Sequence, residues 1–193
     1  AFEVIDPYAH GAGVNGVRGL IYDSSTTNPD GWDDIPLVWD KDSTFDIKSA
    51  NDLTVYEIHI RDLTMDDTWN GKEKPGTYNA FVEKGTTYSD NITTVTTGFD
   101  HIEELGVTAV QLLPVFDHDD DEVNMKFNWG YNPLNYNVIE GGYSSDPFDG
   151  FTRIKEFKNL VMQFANNKNH TRVIMDVVYN HVSSVSNCNF NKI

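Results

Sequence analysis

Residues 171–181, TRVIMDVVYNH, restrict the fold more than any other stretch of this chain. Positions 173–178 are one short run of β-branched and apolar residues with a single acid, Asp176, inside it. A continuous apolar run of that length, directly after a helical pattern, suits a parallel strand covered on both faces. The acid then needs a partner, because burying a lone carboxylate is costly. Tyr179, Asn180 and His181 put three polar side chains at the carboxyl end of the strand, where parallel α/β folds bind ligands. On pattern alone the residues fit a core strand ending in a polar turn equally well, since position in a fold does not establish function.

The chain leading to this strand has an α/β pattern from residue 53 onward. Residues 53–60 alternate as a strand, with Tyr56, Ile58 and Ile60 on one face and Glu57 and His59 on the other. Inside a small barrel, Glu57, His59 and Arg61 are expected to be satisfied in a polar network. Arg61 and Asp62 are expected to pair at the strand end. A helix is predicted over 97–105, with Phe99, Ile102 and Leu105 three apart and Gly106 as its stop. Residues 107–115 form a second strand closed by Pro114. A longer helix over 151–165, with Asp149 as N-cap, places Phe151, Ile154, Phe157, Leu160, Val161 and Phe164 on one core-facing side. Strand, helix, strand, helix, strand is two right-handed βαβ units, the opening of a barrel.

Three polar regions interrupt this pattern. Residues 64–91 are turn-rich and read as a long loop, functional or disordered. The acidic run DHDDDE at 117–122 is of a kind that can hold calcium, but it lacks EF-hand spacing and is expected as a solvated loop tip. Residues 127–149 carry aromatics without regular periodicity, as expected of a substrate-contacting loop above a strand end. Residues 1–50 differ from the rest: short β-like runs at 2–5 and 16–22 are separated by Gly, Pro, Asn and Ser clusters. Trp32 and Trp39 are candidate aromatic stacking platforms for a ligand, with packing at a domain interface the favoured alternative.

Three stretches together resemble a known family. D-V-V-Y-N-H at 176–181 is similar to the first short region shared by the α-amylase superfamily of glycoside hydrolases. F-N-W-G-Y-N-P at 127–133 resembles the signature of its type I pullulanases, with Phe127 where tyrosine is frequent. Y-E-I-H-I-R-D-L at 56–63 resembles the first barrel strand of the debranching group. The resemblance implies an α/β fold, the N-terminal portion of a TIM-like (β/α)8 barrel, preceded by the tail of a β-sandwich module. A full barrel takes about 250 residues, so these 193 are expected to hold about three strands. Residues 1–50 would be the tail of the β module and a connector, and 51–193 the first part of the catalytic barrel.

The function implied is hydrolysis of α-1,6-glucosidic linkages in pullulan, glycogen and starch dextrins by a retaining mechanism, which uses two carboxylates about 5–5.5 Å apart. In the superfamily the acids sit on the fourth and fifth strands, with an aspartate after the seventh, so no catalytic residue is expected in this chain. By resemblance, Tyr131 is the aromatic platform for the sugar being cleaved and His181 hydrogen-bonds hydroxyls of that sugar. Without the resemblance, Tyr131 reads as a residue packing its loop onto the barrel. Asp176 and Asn180 are assigned to support of the site. Asn180 matches a position that binds calcium in many α-amylases, but no metal ligand is assigned here; the resemblance requires no cofactor and leaves room for calcium. The partners implied are an α-glucan and a second polypeptide completing the barrel, because three strands leave an unpaired edge. The alternatives are an isoamylase-like or other α-amylase-superfamily enzyme, or a non-catalytic α-glucan-binding protein.

Composition excludes several other classes. A formal net charge of −16 argues against nucleic acid and anionic membranes, which both attract basic patches. No apolar run approaches the roughly 20 residues that span a bilayer. A single cysteine, Cys188, excludes an internal disulfide and a cysteine-only zinc site.

Overall fold

The computed structural model describes residues 3–35, 49–186 and 188–192. In chain order the elements are β1 (Val55–Ile58), α1 (Tyr78–Phe81), β2 (Thr87–Ser89), β3 (Thr94–Thr96), α2 (Gly98–Leu105), β4 (Ala109–Leu112), β5 (Phe116–His118), β6 (Pro133–Ile139), α3 (Gly150–Ala165), β7 (Arg172–Met175) and α4 (Asn189–Lys192). β1, β4 and β7 form a parallel sheet with β4 in the middle. The strand–helix–strand–helix–strand order read from the sequence is therefore present.

The register explains which residues are buried. Val110 and Leu112 of the central strand are fully buried and share a face with Ile58 and Val173. That face packs against Phe99 and Ile102 of α2 and Phe157, Leu160 and Phe164 of α3. The Phe99 and Phe164 rings lie 4.9 Å apart; burying each contributes about 1.5–3 kcal/mol. The opposite face carries Glu57 and Gln111 in register, as expected of a sheet side turned to a polar interior. α2 begins after Thr97 and ends at Gly106, whose φ of 71° is left-handed. α3 is capped by Asp149, whose Oδ1 accepts the Phe151 amide at 3.1 Å.

The structure departs from the sequence reading in several places. β7 ends at Met175 and is only half-buried, not covered on both faces, because among the described residues it pairs with β4 alone. Pro114 has no N–H to continue the ladder on β4. Residues 64–91 are not a structureless loop: Tyr78 and Phe81 of α1 are fully buried in the main core, and β2 and β3 form a hairpin. Phe151 is not core; it is 42% exposed and meets the Tyr22 ring edge-on at 5.8 Å. Glu57 is exposed, so it is not held in a packed interior, whereas His59 is buried and Arg61 pairs with Asp62 at 3.6 Å.

The β-like runs near the amino end do not become strands. Residues 3–35 fold into 3₁₀ turns with one isolated bridge, Ala12 to Gly19. They pack on the rest of the chain through Ile5 and Ala12 against Val138 of β6, and among the described residues these short runs, broken by Gly and Pro, find no neighbouring strand to pair with. Lys158 of α3 donates to Ser24 O, Thr27 Oγ1 and Asn28 Oδ1 and lies 5.5 Å from the Trp32 ring. Trp32 is thus a packing residue; Trp39 lies outside the described residues. Among the described residues no helix is long and apolar enough to cross a membrane.

Candidate active-site loop

The carboxyl ends of all three parallel strands meet one loop, residues 127–133. After β1, His59 Nε2 lies 2.9 Å from the Asn128 carbonyl and its ring is 5.4 Å from Phe127. After β4, Pro114 touches Gly130 so closely that a Cβ there would stand 2.9 Å from Pro114 Cβ and 3.0 Å from its carbonyl oxygen. After β7, Tyr131 Oη donates to Asp176 Oδ2 at 2.7 Å, and His181 Nε2 donates to the Tyr131 carbonyl at 2.7 Å. Within the loop the Gly130 amide donates to Asn128 Oδ1 at 3.0 Å.

Glycine is required at 130 for two reasons: the contact with Pro114 and a φ of 83°. Gly130→Ala is expected to cost about 1–2 kcal/mol of local stability, read as faster amide exchange over residues 127–133. Unchanged exchange there would show that the loop accommodates the methyl group.

Asp176 has the partner that its place in the sequence demanded. The hydrogen bond it accepts, helped by burial and by the nearby charges of Asp176 and Glu57, pushes the Tyr131 phenol up to about 12. Tyr131 therefore stays neutral at ordinary pH with its hydroxyl engaged, a half-buried ring held rigidly beside the strand ends. Tyr136 Oη donates to the His181 carbonyl at 2.8 Å, fixing the backbone that carries His181. Tyr131, Asp176 and His181 are thus brought together. Asn180 is exposed, and among the described residues no hydrogen bond joins its side chain to the other three.

The family model for the alpha amylase catalytic domain matches residues 49–192. The chain belongs to the α-amylase family. Among curated relatives of this α-amylase-family chain, pullulanase of Bacillus subtilis (strain 168) is 34% identical over 196 residues, covering 98% of this chain and 24% of that protein. Chloroplastic pullulanase 1 of Arabidopsis thaliana is 32% identical over 214 residues, 92% of this chain and 20% of that one. The crystal structure of pullulanase from Paenibacillus barengoltzii in complex with maltohexaose and alpha-cyclodextrin matches with a TM-score of 0.84 at 40% identity, covering 98% of this chain and 28% of that chain. This α-amylase-family chain spans about a quarter of the length of the relatives it matches.

A second polar cluster was invisible to sequence reasoning. The acidic run is a solvated tip only in its middle: Asp119 and Asp121 are exposed, whereas Asp117, His118 and Glu122 at its two ends are at most 3% exposed. β5 and β6 form a bulged antiparallel pair, and beside Phe116 and Val138 its buried positions include the polar Asp117, His118 and Asn135, with Glu140 directly following. Inward residues that are polar leave no hydrophobic period to detect. Asp117, Glu122 and Glu140 offer oxygens within 4.8 Å of one another, which raises the question of calcium. The space is already taken by a cation. The Arg153 guanidinium, fully buried, donates to Glu122 Oε1 at 2.7 Å, Glu122 Oε2 at 2.8 Å and Pro147 O at 3.0 Å. Glu140 accepts the His118 amide at 3.0 Å and the Gly142 amide at 2.6 Å. Burial, reinforced by Glu140 and Glu122, pushes the Asp117 carboxyl well above its ordinary range, so it favours its neutral form. A divalent ion wants ionised oxygen ligands free to turn towards it; these residues do not fit one while Arg153 is in place.

Proposed function

We propose that the complete protein carrying this chain hydrolyses α-1,6-glucosidic branch points in pullulan, glycogen or starch dextrins with retention of configuration. In this reading the chain supplies the grip on the substrate. Tyr131 presents the ring on which the sugar at the cleavage point stacks, its C–H face being apolar enough for an aromatic partner. His181 is the hydrogen-bonding neighbour for that sugar's hydroxyls, Asp176 orients Tyr131, and Asn180 supports the turn before His181. The two carboxylates that perform the displacement come from other strands. The observation that carries the proposal is the convergence of Tyr131, Asp176 and His181 on one loop at the ligand-binding end of the parallel sheet.

The same reading divides the chain into residues 1–50, tail of an amino-terminal β module and connector, and residues 51–193, the first part of the barrel. It also includes a second polypeptide that completes the barrel. In support, among the described residues β1 and β7 each pair only with β4, and Val55 and Met175 beside the open edges are 47% and 39% exposed; unpaired edges of this kind invite further strands.

Pullulan is the discriminating substrate. Release of maltotriose by the complete protein is the expected result, and cleavage of α-1,4 bonds alone would remove the debranching assignment. Native mass measurement of the complete protein tests the second polypeptide: an active particle holding a single polypeptide would overturn it.

A further inference from the structure

The proposed sugar grip explains Tyr131, Asp176 and His181 but leaves a buried histidine at the other end of the same loop. His59 is 6% exposed, and every polar atom on its ring has a defined partner. The Arg61 amide donates to Nδ1 at 3.1 Å. That leaves Nδ1 as the acceptor and puts the proton on Nε2, which points at the Asn128 carbonyl at 2.9 Å, with Tyr143 Oη 3.2 Å away. The tautomer follows from the backbone turn after β1, which cannot do other than offer an N–H to Nδ1.

We propose that His59 is a positioning residue for the Tyr131 platform, acting by holding the start of the 127–133 loop through its Nε2–H bond to the Asn128 carbonyl and its ring contact with Phe127. The proposal rests on the α-glucan-binding reading for its purpose, but its mechanical part does not. Asn128 is the residue that passes the constraint on: its carbonyl is held by His59, while its side-chain Oδ1 accepts the Gly130 amide, one residue before Tyr131. A bond made at Asn128 therefore fixes the backbone at Gly130, and the Asp176 bond fixes the ring that follows. With Pro114 pressed on Gly130, the loop is held by a residue after each of the three strands. Releasing the first anchor lets the platform drift from the geometry Asp176 alone cannot impose, and a misplacement of about 1 Å is enough to matter to a reacting sugar.

Histidine is a plausible core filler, so the test separates packing from the specific bond. Glutamine places an amide N–H where Nε2 stands and retains the donor to Asn128. Asparagine reaches only as far as Nδ1: it keeps the acceptor for the Arg61 amide but cannot reach Asn128. His59→Gln and His59→Asn are made in the complete protein. Amide exchange is followed over residues 127–133 and over α3, and maltotriose affinity is measured by calorimetry. The expected result is that His59→Asn accelerates exchange over 127–133 about tenfold and weakens maltotriose binding about tenfold, each equivalent to one lost hydrogen bond. His59→Gln restores both, and α3 exchange stays as in the wild type. Equal behaviour of the two variants, or wild-type loop exchange in His59→Asn, overturns the proposal. If the exchange contrast appears but the wild-type protein does not bind maltotriose, the positioning role stands and the proposed function falls.

Discussion

Replacing Arg153 with methionine is expected to destabilise the region around α3 by about 3–5 kcal/mol, the cost of leaving a buried charge without its partner. Methionine fills similar space, so the loss would come from electrostatics and hydrogen bonding more than from a cavity. In the wild type the guanidinium neutralises a pocket into which three carboxyl groups are folded, two of them fully buried and Glu122 3% exposed. Without it, Glu122 loses two short charge-assisted bonds and faces Asp117 and Glu140 with no positive charge between them. The effect is read from the urea dependence of exchange protection in α3, which reports this region even inside a larger protein. Adding Glu122→Gln to the variant is expected to recover a substantial part of the loss. Identical stabilities of the single and double variants would show that the pair is not coupled.

The pH dependence of the same cluster has a definite sign. Asp117 has a folded-state pKa raised above its ordinary value by burial and by Glu140 and Glu122. The folded state therefore retains a proton that the unfolded chain, with an ordinary value of about 3.9, releases. Its stabilising contribution is present below that value and is lost as pH rises through the folded pKa. Arg153 is one of the groups that hold this pKa down, so its removal raises the pKa further, and the deficit of the methionine variant is expected to shrink on acidification from neutrality. A deficit that grows on acidification would contradict this assignment of the proton.

Asp176→Ala carries the largest expected effect on activity. Removing the carboxylate frees the Tyr131 hydroxyl, whose 2.7 Å bond fixes the ring. Loss of that orientation is expected to lower kcat/KM of the complete protein on pullulan by about a hundredfold. Tyr131→Phe keeps the ring and loses only the bond, and about tenfold is expected, in line with a hydrogen bond to a charged group. A change within twofold in Asp176→Ala would remove the aspartate from the site. A second measurement is independent of turnover: the Tyr131 phenol, held at about 12 chiefly by the Asp176 bond, is expected to titrate lower, towards its ordinary range, once the carboxylate is gone. Ultraviolet titration of the variant against the wild type reads this directly.

Residues with a regular period were legible in the sequence. Phe99 and Ile102 on α2, and Ile154, Phe157, Leu160 and Phe164 on α3, announced their helices because the buried face repeats every turn. Among the strands, β1 was legible from its alternation and β4 and β7 from short, nearly continuous apolar runs, and the motifs nearby located Tyr131, Asp176 and His181. Two kinds of feature escaped. The β5–β6 pair and the residue after it bury Asp117, Asn135 and Glu140 among apolar neighbours, so no clean hydrophobic period shows and the stretch looks like solvated loop; the cation that makes this tolerable, Arg153, lies 31 residues beyond Glu122. Tyr78 and Phe81 are buried by a single helical turn too short to show a period.

The sequence by itself determined the parallel α/β pattern, the family, and the side chains gathered at the strand ends, since local periodicity and short motifs encode these within a few residues. Only the tertiary structure decided which acids are buried, which tautomer His59 holds, and that one loop is anchored by a residue after each of three strands. Those properties depend on atoms 45, 69 or 107 positions apart coming within hydrogen-bonding distance. Such encounters are created by packing, and no local pattern records them.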